Sequence, residues 1–176
     1  MTPTAESPLT ILHVSTERGW RGGERQVALL TDGLVRRGHR CLVLSPPDSA
    51  LFRNRSAMEH PALTVIPLRC MGAFDPLAAW RLARLVRRER VDIVHAQTSH
   101  AHSLAWIARR WMQAPVVVSR RVDFPVNPNG ISRRKYLDPR ISYIAISHAV
   151  KQVLVDCGVR DDRVRVVHSG ISLELM

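Results

Sequence analysis

Two short stretches of the sequence carry side chains suited to acid–base work or to anion binding. The first, HAQTSHAHS, contains His100 and His102, and the second, RRVDFP, contains Arg120, Arg121 and Asp123. A histidine can act as a general base or hydrogen-bond a sugar hydroxyl. Neighbouring arginines bind phosphate or carboxylate through paired hydrogen bonds. These five residues are therefore candidates for a reacting centre.

Each candidate also has a plainer structural explanation. His100 and His102 could flank a metal ion, but no third ligand at zinc-like spacing is evident, and we expect no metal site. Helix capping and packing at a strand end is the simpler interpretation of the histidines, above all of His95. Asp123 is a base, an arginine partner or an ordinary loop residue. The sequence has no Ser-His-Asp elbow and no pair of carboxylates.

A glycine-containing segment, GWRGGERQ, supplies a third group of candidates near the start of the chain. Gly22 and Gly23 leave backbone N–H groups uncovered at a helix N-terminus, where they can hold a phosphate or a sugar. The segment is neither G-x-G-x-x-G nor a Walker loop. A tight turn, with Glu24 favourable in the first helical turn, explains the pattern equally well. If a ligand binds here, Gly22, Gly23, Glu24 and Arg25 are the substrate-binding candidates.

The elements that must position these residues alternate regularly along the chain. Amphipathic patterns predict helices over 24–37, 77–90, 100–112 and 148–157. Between them lie apolar runs that are near-continuous, as in strands buried on both faces. There are seven such runs: 9–15, 41–46, 63–68, 91–97, 115–120, 142–147 and 164–169. The order predicts an α/β fold, a Rossmann-like open, mostly parallel sheet of about seven strands with helices on both faces.

The predicted topology brings the candidates to one edge of the sheet. Ligands of open α/β sheets bind beyond the carboxyl ends of the strands. The glycine segment follows the first strand, and HAQTSHAHS, RRVDFP and SHAVK (with Ser147) follow the fourth, fifth and sixth. The proline-containing stretch 120–140 predicts a long loop, ending in a short helix at 132–137. We expect one crevice shared by these segments.

Composition bounds the class of protein. A chain of 176 residues with 45% hydrophobic residues fits one domain, assigned to 9–176 after a loose tail at 1–8. No apolar run is long enough for a membrane span, and no signal peptide is evident. Three scattered cysteines favour a reducing cytoplasm. The net charge of +11 predicts an anionic partner, but the aromatic content of 5% and the lack of a reading motif disfavour nucleic acid.

Five segments, in order and spacing, resemble the N-terminal domain of GT-B glycosyltransferases of family 4. They are GGERQVALLTDGLVRRGHRCLVLS, VDIVHAQTSHAHSLAWIARR, PVVVSRR, YIAISHAVKQVLVDCGV and RVRVVHSGISLE. The resemblance implies a retaining transfer from a nucleotide-sugar that needs no metal or other cofactor. It also implies that this domain holds the acceptor, that the C-terminal donor domain is absent from the chain, and that the chain alone is inactive.

The resemblance carries roles to individual residues. Gly22 and Gly23 match the family's glycine loop, which lies against the donor phosphates and the acceptor. Ser147 matches the small hydroxyl after strand six. Arg121 stands where the family commonly has a histidine. Either His100, His102 or Asp123 substitutes for that histidine, or the acceptor is anionic and binds Arg121, with Arg120 beside it. The second idea explains the sequence better.

Two functions follow as expectations. The first is the acceptor-side domain of a retaining glycosyltransferase that moves a sugar onto an envelope glycan or a lipid-linked acceptor. It would work in the cytoplasm with peripheral contact to the anionic inner membrane, through the basic stretch 81–90 and the loop 120–140. The second is a stand-alone Rossmann-like module that binds a phosphorylated ligand without catalysis.

Overall fold

A computed structural model describes residues 7–58, 60–126 and 130–170. Its core is one sheet of seven strands that are all parallel, in the order β3-β2-β1-β4-β5-β6-β7. The strands are β1 (Thr10–Val14), β2 (Arg40–Ser45), β3 (Leu63–Pro67), β4 (Ile93–Ala96), β5 (Val116–Arg120), β6 (Ile141–Ala145) and β7 (Val164–Val166). Because the strand order reverses between β1 and β4, a crevice opens at their carboxyl ends.

Within these ranges, six helices connect the strands. They are α1 (Gly22–Val35), α2 (Ala50–Arg53), α3 (Pro76–Arg88), α4 (Ser99–Ala108), α5 (Gly130–Tyr136) and α6 (His148–Asp156), with short 3₁₀ segments at Arg55–Met58 and Asp161–Arg163. Side-chain caps fix where four of them begin: α2, α3, α4 and α6. Asp75 accepts from the Leu77 and Ala78 N–H groups before α3, and Thr98 accepts from Ala101 before α4. Each cap satisfies N–H groups that have no partner within the helix.

The two faces of the sheet pack against different helices. Leu42 and Leu44 of β2 belong to the large core that includes α3 and α4. Val43 points to the other face and joins a small cluster with Val27 of α1 and Leu51 of α2. Alternate residues of a strand point to opposite faces, so the helices lie on both sides as predicted. The fold class read from the sequence is confirmed.

The structure differs from the sequence prediction in detail. Strand β7 ends at Val166, whereas the apolar run continues to 169, and α5 begins two residues earlier than predicted. Gly38 and Gly158 have positive φ angles of 87° and 99° just after α1 and α6, a conformation that commonly ends helices. The assignment of one domain to 9–176 after a tail at 1–8 stays a prediction, and residues 1–6 and 171–176 lie outside the described part.

The chain returns to α1 after β7. The Gln26 side chain donates from Nε2 to the Gly170 carbonyl oxygen at 2.6 Å, and it accepts from the Gly170 N–H at 3.1 Å. These two bonds hold the last described residue beside the first turns of α1.

None of the helices within the described ranges is long and apolar enough to cross a membrane.

Candidate functional site

A cleft of about 370 Å³ opens at the carboxyl ends of β1, β4 and β5. Four segments form its walls: the loop before α1, the β4–α4 junction, the end of β5, and the last residue of α5. The lining residues are Glu17, Arg21, Gly23, Glu24, Gln97, Thr98, Ser99, His102, Val118, Ser119, Arg120, Arg121, Val122 and Tyr136. The structure therefore brings together five of the ten predicted site residues: Gly23, Glu24, His102, Arg120 and Arg121.

The glycine segment begins α1 at Gly22. The Arg21 N–H donates to Glu24 Oε2 at 2.9 Å, and this bond helps to bury the Glu24 side chain to 3% exposure. Neither Gly22 nor Gly23 has a positive φ, and a Cβ at either would meet no atom within 4 Å. The backbone conformation therefore does not require glycine at either position. The two positions leave free space beside the helix N-terminus, and backbone N–H groups at such an end can hold an anion.

Arg121 is held in place by one residue, Gln97. Its Nη1 donates to the Gln97 carbonyl oxygen at 2.8 Å, and its Nη2 donates to Gln97 Oε1. The Gln97 amide is oriented in turn by a 3.1 Å hydrogen bond from its Nε2 to His13 Nδ1. Desolvation lowers the pKa of Arg121 and the charge of Glu24 opposes that shift, so the two charges interact across the cleft. The arginine remains a cation.

Two histidines lie beneath this arrangement on the α1 face of the sheet. His13 and His95 are neighbours in register, with ring centroids 5.2 Å apart, and His95 Nε2 bonds to Ser119 Oγ at 2.8 Å. Burial, and then the charge of Arg121, lower the pKa of His95 to about 4. Burial likewise lowers the pKa of His13 well below its ordinary value, followed by the effects of His95 and Arg121. Both rings are neutral at physiological pH.

His102 lines the opposite wall of the cleft and is 1% exposed. Its ring meets the rings of Tyr136 and Tyr143 edge-on, at 5.0 and 5.8 Å between centroids. Burial and then the Lys135 ammonium lower its pKa well below the ordinary value, although the nearby Lys135 backbone opposes this. Neither ring nitrogen makes a well-formed hydrogen bond within the part of the chain that the structure describes. A neutral imidazole in this state can both donate to and accept from a hydroxyl group.

Arg120 points to the other face from Arg121 and connects the cleft to α5. It donates from Nη1 to the Tyr136 hydroxyl at 2.9 Å and from Nη2 to the Phe124 carbonyl oxygen. Lys135 of the same helix is buried and donates to Ser103 Oγ at 3.1 Å. Burial and the charge of Arg120 lower the pKa of Lys135 to about 8. Arg120 thus fixes the wall of the cleft through contacts within the protein.

The other predicted site residues lie elsewhere. His100 is exposed and lines a separate groove with Thr16, Arg69 and Arg81, because two positions along a helix differ by about 200° in direction. Arg25 lines a groove on the far side of α1 with Trp20. Each of the remaining three stands outside the lining of the cleft: Gly22, Asp123 and Ser147. Ser147 caps α6, accepting from the Val150 N–H at 3.2 Å.

Among the cleft residues that sequence reasoning missed are Gln97 and Tyr136, and it also missed the buried Lys135 next to Tyr136. Gln97 is the last residue of the apolar run 91–97 and directly follows β4, and a polar side chain at a strand end is a signal of a site. Lys135 and Tyr136 lie within the basic string SRRKY, which gives no sign that a lysine is buried. Across the described ranges, no three histidine, cysteine, aspartate or glutamate side chains are grouped as a metal site would require.

A family model described as Glycosyltransferase Family 4 matches residues 20–175. The chain belongs to this family. No curated protein sequence matches it. Among solved structures it is similar to a glycosyltransferase from Rickettsia africae, with a TM-score of 0.75 and 20% identity over 96% of this chain and 45% of that one. It is also similar to Anabaena HepE solved with UDP-glucose, with a TM-score of 0.70 and 18% identity over 95% of this chain and 45% of that one.

A further similar structure is a UDP-N-acetylglucosamine 2-epimerase from Rickettsia bellii, with a TM-score of 0.65 and 13% identity over 92% of this chain and 45% of that one. At such identities these structures share the fold alone, and an epimerase is among them. The family match, and not the fold, therefore relates this chain to glycosyltransferases. The chain spans about 45% of the length of these structures, which fits the N-terminal domain of a GT-B enzyme.

Proposed function

We propose that this chain is the acceptor-side domain of a retaining glycosyltransferase that transfers a sugar from a nucleotide-sugar to an anionic acceptor. One observation supports this most directly. A single cleft contains the open N-terminal turn of α1 at Gly23, the unpartnered imidazole of His102 and the fixed guanidinium of Arg121. These groups suit a phosphate, a sugar hydroxyl and an anion respectively.

Each cleft residue receives a role in this proposal. The N–H group of Gly23 faces the donor phosphates, and His102 bonds an acceptor hydroxyl. Arg121 binds the negative charge of the acceptor, since Gln97 holds it in one orientation before any ligand arrives. Preorganisation of this kind strengthens binding because less side-chain freedom is lost. His100, Asp123 and Ser147 have no assigned role in the cleft.

The donor is a nucleotide-sugar that a second, C-terminal domain binds, and no metal or other cofactor takes part. The HepE structure solved with UDP-glucose is an example of a similar fold with such a ligand. The acceptor is an envelope glycan or a lipid-linked sugar, which places the enzyme in the cytoplasm at the inner membrane face. Without the second domain, this chain binds acceptor and does not transfer sugar.

The proposal is tested in the complete enzyme that carries this chain as its N-terminal domain. Replacing Arg121 with Ala removes a half-buried cation from the acceptor, and we expect kcat/KM to fall about 100-fold or more. The matched control is Arg37→Ala, which removes an exposed arginine after the end of α1. Unchanged transfer by Arg121→Ala would refute the arginine role. Phosphosugar binding by a complete protein that transfers no sugar would favour the non-catalytic module.

A further inference from the structure

A group of large apolar side chains lies exposed where β3 passes into α3. Met71 is 100% exposed, Phe74 54%, Leu77 52% and Trp80 40%. The helix packs on the sheet through other residues, namely Ala78, Ala79, Leu82, Ala83 and Val86. The four exposed side chains therefore contribute little to the core. Leu77 and Trp80 are three positions apart in α3, which places them on one side of the helix start, and Phe74 lies in the loop just before it.

Arginines surround this apolar group. Helix α3 contains no acidic residue, and Arg69 precedes it in the loop. The four arginines of the helix are all exposed: Arg81, Arg84, Arg87 and Arg88. The Arg84 guanidinium stacks 5.7 Å from the centre of the Trp80 ring, and Arg88 pairs with Glu89. Within the described residues, Arg69 and Arg87 make no side-chain hydrogen bond or ion pair. We call the four exposed apolar residues and these five arginines together the α3 face.

The loop that carries the apolar tip is held firmly. Asp75 accepts three backbone hydrogen bonds of 2.9 Å, from Met71, Leu77 and Ala78. These bonds, led by that from Ala78, lower the pKa of the Asp75 carboxyl. The carboxylate thus ties the loop to the first turn of α3, and the apolar side chains are presented without a disordered segment. Asp75, the acidic residue nearest to this face, is therefore engaged in holding the loop.

Two grooves meet at the centre of the α3 face. One, of about 670 Å³, runs from the carboxyl ends of β1 and β2 to Met71, and the other, of about 460 Å³, runs along α3 past Trp80. Arg69 and Arg81 line both. Cationic groups in recesses between exposed aromatic and aliphatic side chains match the arrangement of a phospholipid layer, whose charged phosphates lie directly above apolar chains.

We propose that the α3 face docks onto a bilayer of anionic phospholipids, with Met71, Phe74, Leu77 and Trp80 entering the interface. Charge complementarity selects this occupant, since five arginines meet the phosphates and no acid of α3 opposes them. The biological purpose of this docking rests on the proposed function, whereas the evidence for it comes from the residues of the α3 face. This docking surface shares the arginines of 81–90 with the sequence expectation, but it adds the apolar side chains between 71 and 80 and does not use the loop 120–140.

The docked orientation brings the cleft close to the bilayer. Thr16 lines the larger groove of the α3 face, and its Oγ1 lies 2.6 Å from the Oγ1 of Thr98, which lines the cleft. One hydroxyl pair therefore separates the two spaces. An acceptor anchored in the bilayer would reach Arg121 from this side, past His100 on the groove wall.

Vesicle co-flotation of the chain tests the proposal. We expect binding to vesicles that contain phosphatidylglycerol and little binding to phosphatidylcholine alone. Removing three arginines as R69Q/R81Q/R84Q is expected to weaken partitioning about 100-fold, since each arginine near such a surface contributes about fivefold. The matched variant R37Q/R110Q/R165Q removes three exposed arginines elsewhere and is expected to bind nearly as well as the original chain.

Two further experiments distinguish insertion of the apolar side chains, and binding of free phosphate, from electrostatic attraction to the vesicle alone. M71S/F74S keeps every charge and is expected to weaken binding about tenfold or more, because it removes the inserted apolar groups. Inorganic phosphate at 10 mM is expected to leave vesicle binding unchanged. Equal loss in both triple variants, equal binding to neutral vesicles, or full displacement by phosphate would each overturn the proposal. Thermal unfolding of each variant checks that it is folded.

The outcome is independent of the proposed function. If R69Q/R81Q/R84Q loses vesicle binding while the complete enzyme still glycosylates a soluble acceptor, the docking surface stands. If vesicle binding persists and the complete protein transfers no sugar to any acceptor, the proposed function fails and the α3 face remains.

Discussion

The cleft and the α3 face both carry arginines, but in opposite states. In the cleft, Arg121 and Arg120 are partly buried and donate to Gln97, Tyr136 and Phe124. On the α3 face, the arginines are exposed, and two of them make no side-chain bond within the described part of the chain. A fixed, desolvated cation recognises one geometry, whereas freely solvated cations supply charge to any anionic surface. The same residue type thus serves selection in one region and attraction in the other.

The largest expected difference between the regions is in acid stability. His13, His95 and His102 are held neutral with lowered pKa values, so the unfolded chain binds up to three more protons than the folded one below pH 6.5. Stability is therefore fully present above pH 6.5 and is lost as the pH falls toward 4. The free energy of unfolding should drop by about 1.4 kcal/mol per pH unit for each histidine, or about 8 kcal/mol in total by pH 4.5, two units below 6.5.

Urea unfolding followed by circular dichroism at pH 7, 6 and 5 measures this loss. His95→Gln should reduce the pH dependence by about a third, while the exposed-arginine variant R84Q/R87Q should leave it unchanged. A free energy of unfolding that stays constant from pH 7 to 5 would contradict the buried neutral state of the three rings.

A smaller effect should follow from releasing Arg121. Gln97→Leu removes the Oε1 acceptor of Arg121 and the donor to His13, so we expect about a tenfold loss of kcat/KM in the complete enzyme and about 1–3 kcal/mol of destabilisation. Gln97→Glu should keep Arg121 in place but offset its charge. That variant is therefore expected to raise KM for an anionic acceptor with little change in stability.

The exposed Gln113→Leu is the control for both variants. Kinetics with the complete enzyme and urea unfolding of the chain give the two readouts. If Gln97→Glu binds an anionic acceptor as tightly as the original, Arg121 does not meet the negative charge.

The smallest expected effect is on the stability of the α3 face. R84Q/R87Q removes two exposed charges with no ion pair, so the free energy of unfolding should change by about 0.5 kcal/mol or less. Thermal unfolding in low and high salt measures it. A destabilisation of several kcal/mol would show that these arginines hold the helix in place, and their assignment to a docking surface would lose its basis.

The two regions also differ in how far the sequence predicts them. Apolar runs and helix caps depend on neighbouring residues, so the strands, the parallel sheet and the glycine-led start of α1 could be read directly. The placement of His100 and His102 in different spaces depends on which side of α4 meets the sheet. The burial of Lys135 depends on α5 packing against Ser103, a contact 32 residues away in the chain. Local patterns do not encode such contacts.

The exposure of side chains on the α3 face is also only partly predictable from local sequence patterns. The alternation of arginine and apolar residues over 77–90 predicts the helix and its packed stripe correctly. The exposure of Met71 and Phe74 was not predictable, because the sequence does not say that Asp75 ties their loop to the helix. Chains of similar composition bury such residues when another element covers them.

The pair of hydrogen bonds between Gln26 and Gly170 joins two parts of the chain that lie 144 residues apart. Gln26 lies one helical turn after Gly22 and Gly170 follows β7, so the bonds connect the start of α1 to the segment beyond the last strand. The cleft wall at Gly23 and that segment are therefore mechanically coupled. Replacing Gln26 with Ala would remove this coupling and leave the hydrogen bonds of Arg121 and Arg120 intact.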